Sequence, residues 1–286
     1  MAKGAPIEVT GDVLAGKRGL VMGVANNHSI AWGIARAARR QGAELAFTYQ
    51  GEQFGKRVEP LARQAGSDIL LPCDVVDDHS VASVFEAVEK EWGGLDFLVH
   101  AIAFSNKDEL KGLYADTTRE NFLQTMMISC YSFTEVARRA AALMPPRGEG
   151  ADGKSGGGSL LTMTYGGAMR VMPNYNVMGV AKAALEASVR YLASDYGPRN
   201  IRVNAISAGP VRTLAGSGVS DARQMFNYQK RNAPLRRTVD IDEVGHSACY
   251  LLSDWSSGVT GEIHYVDSGY STVSMPQIDE LKRMDG

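Results

Sequence analysis

The chain has 286 residues, 44% of them hydrophobic, which is long enough to bury a large core, and we expect one domain. Its 30 Lys and Arg residues nearly balance its 32 Asp and Glu residues, without a run of like charges. This balance argues against nucleic-acid and membrane-surface partners and favours a small, neutral-to-acidic ligand.

The chain shows no sign of export or membrane insertion. No segment reaches the ~20 uninterrupted apolar residues of a membrane helix, and the N-terminus lacks the layout of a signal peptide. Cys73, Cys130 and Cys249 lie far apart, without the spacing of a metal site. We therefore expect a cytoplasmic protein with reduced, buried cysteines and no metal.

Short apolar runs alternate with amphipathic segments along the whole chain. The runs predict seven strands, at Arg18–Val24, Glu44–Gln50, Asp68–Asp74, Leu95–Phe104, Ser159–Tyr165, Ile201–Ser207 and Glu262–Asp267. The amphipathic segments Ile30–Arg40, Val81–Trp92 and Val177–Tyr196 space Ala, Leu, Ile and Val three and four residues apart, as helices do. Such alternation predicts an α/β fold, a parallel sheet covered by helices on both faces.

Residues 145–158 interrupt this alternation of strands and helices with six glycines and two prolines. The segment is too glycine-rich to pack, and we expect a flexible loop. Because it leads from a helix into a strand, it should lie at the amino ends of the strands. Ligands in such sheets bind at the carboxyl ends, so this loop is not expected in the active site.

The first strand leads through Gly23 into a turn and a helix. A glycine allows a tight turn, and the N-terminus of a helix offers unpaired N–H groups to a pyrophosphate. Ser29 is expected to serve as both N-cap and phosphate donor, and Gly33 to let the helix pack closely on the sheet. The segment departs from G-x-G-x-x-G, and a plain strand–turn–helix with a Ser cap would have a similar pattern.

The next strands end in residues that suit a nucleotide. Gln50 is placed to meet an adenosine ribose, and Asp74 to accept from an adenine amino group, although a loop Asp is also a common turn cap. The fourth strand ends in small residues, Ala101 to Ala103, where a cofactor would cross the sheet edge. His100, within an apolar run, is interpreted as a core histidine rather than a catalyst.

Tyr175 and Lys182 follow the fifth strand and stand seven residues apart, two helical turns. They would share one face and reach one cofactor. Two residues with this spacing are ordinarily a half-buried Tyr and a surface Lys without a function. The position just beyond a central strand favours a functional pair. Short-chain dehydrogenases acting on alcohols and ketones usually carry Tyr four residues before the Lys, where this chain has Met178.

The arrangement Tyr165, then Tyr-x6-Lys, resembles the bacterial enoyl-acyl-carrier-protein reductases of the short-chain dehydrogenase superfamily. The stretches 43–50 (AELAFTYQ), 202–215 (RVNAISAGPVRTLA) and 234–238 (PLRRT) resemble that family too, and the likeness spans about residues 14–275. Ala101, where Ser is common, Ser268, where a second Gly is frequent, and the 145–158 loop depart from it. These departures put fine substrate preference in doubt more than activity.

The resemblance implies a Rossmann-type doubly wound sheet that reduces the C2–C3 double bond of trans-2-enoyl thioesters. Tyr175 would donate to the forming enolate oxygen, Lys182 would hold the nicotinamide ribose, and Tyr165 would line the acyl pocket. Ser105, Tyr165 and Tyr175 would contact substrate. The implied cofactor contacts are Gly23, Ser29, Ile30, Gln50, Asp74, Val75, Ile102, Lys182, Val211, Arg212, Thr213, Leu214 and Ala215.

The resemblance also implies partners. An acidic acyl carrier protein would bring the substrate, and a homotetramer is expected. The candidate contacts with the carrier are the cations around a mobile substrate-binding segment at about 213–232, namely Arg212, Arg223, Lys230 and Arg231. An ordinary solvated helix face would carry similar charges.

The end of the second strand predicts NADH over NADPH. Selection of a 2′-phosphate usually places Arg or Lys directly after this strand, whereas here Gln50 and Glu52 stand there. Lys56 and Arg57 on the next helix remain able to turn toward a phosphate. A carbonyl-reducing dehydrogenase and a non-catalytic dinucleotide-binding regulator remain alternatives, the first opposed by Met178 and the second by the intact pair of Tyr175 and Lys182.

Overall fold

The computed structural model describes residues 4–146, 148–149, 156–211 and 222–284. Within them, seven parallel strands form one sheet in the order β3-β2-β1-β4-β5-β6-β7. The strands are β1 Arg18–Met22, β2 Glu44–Tyr49, β3 Leu70–Pro72, β4 Phe97–His100, β5 Gly158–Thr164, β6 Ile201–Ala208 and β7 Ile263–Val266. The seven predicted strands and their parallel, doubly wound arrangement are confirmed.

Two strands are shorter than predicted. β3 covers three residues rather than 68–74 because it is an edge strand that pairs with β2 alone and ends at Pro72, which has no N–H to donate. β4 stops at His100 rather than at Phe104. Beyond Ala101, whose N–H still donates to Met22 O, the chain leaves the sheet to line a crevice beside β1.

Helices cover both faces of the sheet. They are α1 Ile30–Arg40, α2 Gly51–Gln64, α3 Asp78–Trp92, α4 Arg119–Met126, α5 Ser132–Leu143, α6 Asn176–Tyr196, α7 Ala222–Asn232, α8 Ile241–Leu252 and α9 Ile278–Met284. A π-helical segment, Met127–Tyr131, joins α4 to α5. Of the predicted helices, Ile30–Arg40 matches α1, while α3 and α6 begin earlier than predicted, at Asp78 and Asn176.

Two large apolar clusters of the described residues pack against the sheet, one on each face. The first packs α1, α2 and α8 on the sheet, and the second packs α3, α5 and α6. The prediction that Gly33 allows α1 to approach the sheet is wrong. A Cβ on Gly33 would lie 2.2 Å from Ile241 O, so this glycine allows close contact between α1 and α8.

The glycine-rich segment enters the sheet at its amino edge, as predicted. Gly157 N–H donates to Pro145 O, and Gly158 N–H, at the start of β5, donates to Asn200 O. Residues 147 and 150–155 of this loop lie outside the described residues, and its flexibility stays a prediction. Across the described ranges, the helices all fall short of the length and apolar character needed to span a membrane.

Candidate active site

A cavity of about 1540 Å³ opens at the carboxyl edge of the sheet, beside the β1–β4 boundary. The strand order reverses at that boundary, and open α/β sheets bind ligands where it does. The walls come from the segments after β1, β4, β5 and β6, together with α7. Among the predicted site residues, those that line the cavity are Ile30, Ile102, Ser105, Tyr165, Tyr175, Lys182 and Val211.

The turn after β1 has the backbone needed for a close approach. Gly23 has φ 102°, and a Cβ there would lie 2.2 Å from Ala101 O, so a side chain does not fit. Ser29 occupies the N-cap position of α1, but its hydroxyl does not cap the helix. It accepts from Ala25 N at 3.0 Å and Asn26 N at 3.1 Å, so the predicted capping bond is wrong and the hydroxyl stabilises the turn instead.

Gln50 and Asp74 meet at the ends of β2 and β3, where Gln50 Nε2 donates to Asp74 Oδ2 at 3.2 Å. Asp74 Oδ1 also accepts from Val76 N at 3.1 Å, so this residue is a turn cap as well. Val75 is partly buried against the core. The sequence therefore brings together two polar groups that a nucleotide can use.

The nearby cations on α2 are already engaged. Lys56 Nζ lies 2.6 Å from Glu52 Oε1, and the Arg57 guanidinium lies 5.7 Å from the centre of the Phe54 ring. The ion pair is exposed, so it contributes little stability. Each cation therefore already has a partner on α2 itself.

Tyr175 lies immediately before α6 rather than within it. Its orientation is therefore set by the preceding turn and not by the helical spacing to Lys182. The ring packs on Gly167, where a Cβ would lie 2.5 Å from Tyr175 Cδ1, and meets the Tyr165 ring edge-on with centres 5.2 Å apart. No described residue hydrogen-bonds to the Tyr175 hydroxyl, which leaves it available to a ligand.

Lys182 is buried on α6, and its Nζ donates to Met163 O at 2.7 Å. Burial lowers the pKa of Lys182 to about 8, while Cys130 and Glu186 act in the opposite direction. Glu186, one turn further along, accepts from Thr164 Oγ1 at 2.7 Å. An ammonium held in this way has N–H groups left for the hydroxyls of a bound ligand.

The two phenols stay protonated at neutral pH. Burial, and then the nearby Tyr165, raise the pKa of Tyr175 well above its ordinary value. Burial also raises the pKa of Tyr165, although Gln229, whose Nε2 donates to the Tyr165 hydroxyl at 3.1 Å, acts against it. Tyr165 is thus anchored to α7, whereas Tyr175 faces the cavity as a proton donor.

His100 is a core histidine, as interpreted. It is fully buried, with Nε2 2.9 Å from Ser132 Oγ and Nδ1 3.1 Å from Thr162 Oγ1. Both hydroxyls also donate to backbone carbonyls, Ser132 to Ile128 O at 2.6 Å and Thr162 to His100 O at 3.1 Å, so the ring is held within a closed network of hydrogen bonds. Burial, and then Lys182, lower the pKa of His100 to about 3, so it stays neutral.

Met178 and Arg223 also line the cavity, whereas several other predicted residues lie outside the described residues. Met178 lines the cavity as an apolar side chain, so no phenol stands at the carbonyl-reductase position. Arg212, Thr213, Leu214 and Ala215 lie outside the described residues, as does the rest of the 213–221 stretch. Arg223 and Lys230 are exposed on α7, while Arg231 Nε lies 2.5 Å from Glu280 Oε1 and is paired within the chain.

Three residues that shape the site were not predicted from the sequence. Gln229 fixes Tyr165, Gly167 makes room for the Tyr175 ring, and Phe226 lines the cavity. Phe226 and Gln229 lie on α7, whose cations indicated a charged outer face and gave no sign of the residues that face inward. Gly167 was visible as a second consecutive glycine after Tyr165, but its need to be glycine depends on a contact eight residues away.

The arrangement suits the stabilisation of negative charge on an organic ligand. A buried ammonium and an available phenol share an apolar cavity, where water competes weakly for hydrogen bonds. Within residues 4–146, 148–149, 156–211 and 222–284, His, Cys, Asp and Glu form no group that would hold a metal ion.

Comparison with known proteins identifies relatives along most of the chain. The family model described as Enoyl-(Acyl carrier protein) reductase matches residues 23–271. A Rhizobium meliloti protein named Enoyl-[acyl-carrier-protein] reductase [NADH] 2 is 68% identical over 96% of this chain and 98% of its own. The structure of FabI from Candidatus Liberibacter asiaticus has a TM-score of 0.88 at 57% identity, covering 93% of this chain and 100% of its own.

A further structure, the reductase of Anaplasma phagocytophilum in complex with NAD, has a TM-score of 0.88 at 54% identity. It covers 95% of this chain and 100% of its own. The similarity extends over nearly the full length of each of these proteins, so it concerns the whole fold and not a single shared motif.

Proposed function

The chain belongs to the enoyl-(acyl carrier protein) reductase family, and from that premise we propose which of its residues carry the reaction. It reduces the C2–C3 double bond of trans-2-enoyl-acyl-carrier-protein thioesters with NADH, the last step of the fatty-acid elongation cycle. The observation that carries the residue assignment is that an available phenol, Tyr175, and a buried ammonium, Lys182, line one apolar cavity.

The described residues fit a dinucleotide. Gly23 leaves open the space that a Cβ would fill beside Ala101, and the N-terminus of α1 points to the same edge of the sheet. Gln50 and Asp74 offer donor and acceptor groups for the adenosine, and Ile30, Ile102 and Val211 provide apolar walls. Arg212 to Ala215 remain proposed contacts, from the resemblance of the 202–215 stretch.

Tyr175 is the proposed oxyanion donor. Bound NADH supplies the hydride that reaches C3 of the enoyl chain. As the C2–C3 double bond breaks, its electrons move to the thioester oxygen, and the Tyr175 O–H donates to the enolate that forms there. C2 then takes up a proton to give the saturated thioester. Because burial keeps the phenol protonated, the donor is present throughout the neutral pH range.

Lys182 and Tyr165 have supporting roles. Lys182 holds the nicotinamide ribose hydroxyls and adds positive potential near the enolate, while its bond to Met163 O fixes the direction of the ammonium. Tyr165, anchored by Gln229, forms the wall of the acyl pocket against which the Tyr175 ring rests. Ser105, buried at the cavity rim, contacts the substrate.

NADH is the cofactor, and the end of β2 gives a physical reason. A 2′-phosphate needs a paired cation, yet Lys56 is paired with Glu52 and Arg57 stacks on Phe54. Glu52 and Asp74 would both repel a phosphate placed there. NADPH is therefore the poorer cofactor.

The substrate segment and the carrier contact are proposed on α7. Met225 and Phe226 line the cavity, which supports the assignment of residues 213–232 to the acyl pocket. Arg223 and Lys230 are the cations that an acidic carrier protein would meet, whereas Arg231 is paired with Glu280. The mobility of this segment stays a prediction.

A homotetramer in the cytoplasm is also proposed. One exposed apolar face follows α4, the π-helical segment and α6, with Leu123, Met127, Tyr131, Val180 and Tyr191. A second lies on α8, the 3-10 turn Asp254–Ser256 and β7, with Tyr250, Trp255 and Tyr265. Two separate self-contacts are what a tetramer of dihedral symmetry needs. A monomer in solution scattering would rule this assembly out. The three buried, unbridged cysteines suit a reducing compartment.

The assay uses crotonyl thioester with NADH or NADPH, followed by the loss of near-ultraviolet absorbance of the reduced cofactor. We expect turnover with a higher kcat/KM for NADH. Turnover with ketones alone would favour a carbonyl reductase instead, and tight NADH binding without any turnover would favour a regulator. Varying the acyl chain length in the same assay defines the substrate preference.

A further inference from the structure

The backbone around Tyr175 is unusual. Tyr175 precedes the first residue of α6, and both of its neighbours have positive φ, 56° at Asn174 and 24° at Asn176. Asparagine tolerates this region better than most residues because its short side chain forms local hydrogen bonds. Strain of this kind persists only where surrounding contacts hold it, and it is common at functional sites.

The Asn176 side chain provides such contacts. Its Nδ2 lies 3.4 Å from Glu109 O, 3.2 Å from Lys111 O and 3.3 Å from Gly112 O. The first of these carbonyls lies within the 3-10 turn Lys107–Leu110, part of the cavity wall, and the other two follow that turn. One amide therefore joins the residue after Tyr175 to a wall of the cavity more than 60 residues earlier in the chain.

Apolar packing holds the same two parts together. Leu110, from the 3-10 turn, forms a buried cluster with Val177 and Met178, the residues that follow Asn176. Tyr175 packs against this cluster. The wall and the phenol therefore form one unit, in which Asn176 supplies the polar contact.

We propose that Asn176 is a positioning residue, which directs the Tyr175 hydroxyl to the reacting oxygen by binding the carbonyls of residues 109–112. The proposal rests on the role of Tyr175 proposed above. Asparagine suits this position for two reasons, since it accepts a positive φ and carries an N–H donor. Glycine would keep only the first property, and an ionised aspartate would keep the first while repelling the carbonyls.

The first test is Asn176→Gly, alone and combined with Tyr175→Phe. We expect Asn176→Gly to lower kcat by about 10- to 10²-fold, the cost of misplacing a reacting group by about 1 Å, with the Kd for NADH unchanged. If Asn176 acts through the Tyr175 hydroxyl, it should have almost no further effect once that hydroxyl is gone. The proposal would be overturned if Asn176→Gly lowered kcat by the same factor with and without the Tyr175 hydroxyl. It would also be overturned if Asn176→Gly alone kept the wild-type kcat.

Asn200→Gly is the matched control. Asn200 also has a positive φ, 61°, and its Nδ2 also donates to a backbone carbonyl, Gly156 O at 2.6 Å, but at the amino edge of the sheet. It should change the melting temperature by about as much as Asn176→Gly and leave kcat unchanged. A loss of kcat in this variant equal to that of Asn176→Gly would show a general effect on the fold and contradict the proposal.

Asn176→Asp tests the N–H donor without changing side-chain size. With its ordinary pKa of about 3.9 this aspartate is ionised at pH 7, so its carboxylate repels the three carbonyls, and kcat should fall at least as far as in Asn176→Gly. A kcat for Asn176→Asp well above that of Asn176→Gly would overturn the proposal. Loss of the proposed function itself would appear differently, as a wild type that leaves crotonyl thioester unreduced.

Discussion

The proposed adenosine and reaction ends of the active site solve different problems with different chemistry. At the proposed adenosine end, outside the lining of the cavity, Gly23 provides space and Gln50 and Asp74 form an exposed hydrogen bond with each other. On the reaction side, burial shifts the pKa of both Tyr175 and Lys182. Shape and exchangeable hydrogen bonds are enough to bind a cofactor, whereas stabilising a transient charge requires groups that are kept from water in advance.

Tyr175→Phe should produce the largest effect, because it removes the oxyanion donor and leaves the ring in place. We expect kcat to fall by ~10²- to 10³-fold, as for other single oxyanion donors, with little change in the Kd for NADH. Single-turnover kinetics with crotonyl thioester would measure the chemical step. Tyr165→Phe is the matched control, with an expected loss below tenfold, and a larger loss there would exchange the roles of the two phenols.

Gly23→Ala should weaken NADH binding at the proposed adenosine end through a steric clash alone. The new Cβ would meet the backbone oxygen of Ala101, which cannot rotate away as a side chain would. We expect affinity for NADH to fall by ~10- to 10²-fold, from ~1–3 kcal/mol of strain. Calorimetric titration gives the Kd.

The control for this substitution is Gly16→Ala. Gly16 also has a positive φ, 73°, but a Cβ there meets nothing within 4 Å. It should lower the melting temperature slightly and leave the NADH affinity unchanged. If both variants bind NADH equally well, the close contact between Gly23 and Ala101 has no part in binding.

Lys182 should make NADH binding depend on pH. Its pKa of about 8 lies below the ordinary 10.5, so the ammonium loses its proton as the pH rises through 8. We expect the Kd for NADH to increase by up to ~tenfold per pH unit above 8, since each binding event then requires proton uptake. Lys182→Met should bind NADH weakly, with a Kd that does not change with pH. A wild-type Kd that stays constant from pH 7 to 9 would contradict the proposed role of Lys182.

The lowered pKa of Lys182 affects NADH binding and protein stability in opposite directions as the pH rises. A depressed lysine pKa means that the unfolded chain binds more protons than the folded chain between pH 8 and 10.5, so the free energy of unfolding rises with pH across that range. Below pH 8 the buried charge costs the fold on the order of 3 kcal/mol, from 2.5 pH units at about 1.4 kcal/mol each. Lys182→Met should therefore melt at a higher temperature at pH 7, although it binds NADH poorly.

Ser268→Gly should have the smallest effect. Ser268 has φ 60°, and its buried hydroxyl has no hydrogen-bond partner among the described residues. Glycine removes both costs but adds freedom to the unfolded chain, so we expect a net gain of about 1 kcal/mol, or ~2 °C in melting temperature. Ser268→Ala removes the hydroxyl but keeps the positive φ, so its gain in stability should be smaller. A gain equal to or greater than that of Ser268→Gly would show that the backbone is not strained.

Patterns local in sequence predicted much of this molecule. Apolar runs and helical spacing located every strand of the sheet and the length of α1, because hydrophobic periodicity depends only on neighbouring residues. Tyr175 and Lys182 were found because they follow the carboxyl end of a central strand, where such sheets bind ligands, and because their spacing resembles that of a known family.

Contacts distant in sequence were beyond such patterns. Gly33 packs on α8 rather than on the sheet, and Arg231 pairs with Glu280, because the fold brings residues together that no spacing relates. Asn176 looked like an ordinary start of a helix, yet three carbonyls from residues 109–112 surround its amide. The direction of the Ser29 hydroxyl, likewise, depends on the turn geometry and not on residue type.

The strand order also bears on how the chain folds during synthesis. β1 lies in the middle of the sheet, and β2 and β3 add to one side of it before the chain crosses over. Gly19 of β1 must then pair with Phe97 of β4, the one strand neighbour that is not consecutive, while β5, β6 and β7 each add to their predecessor. We expect this distant pairing to limit the folding rate. Since the same pairing brings Ala101 beside Gly23, a chain leaving the ribosome acquires its nucleotide crevice at that slow step and not before.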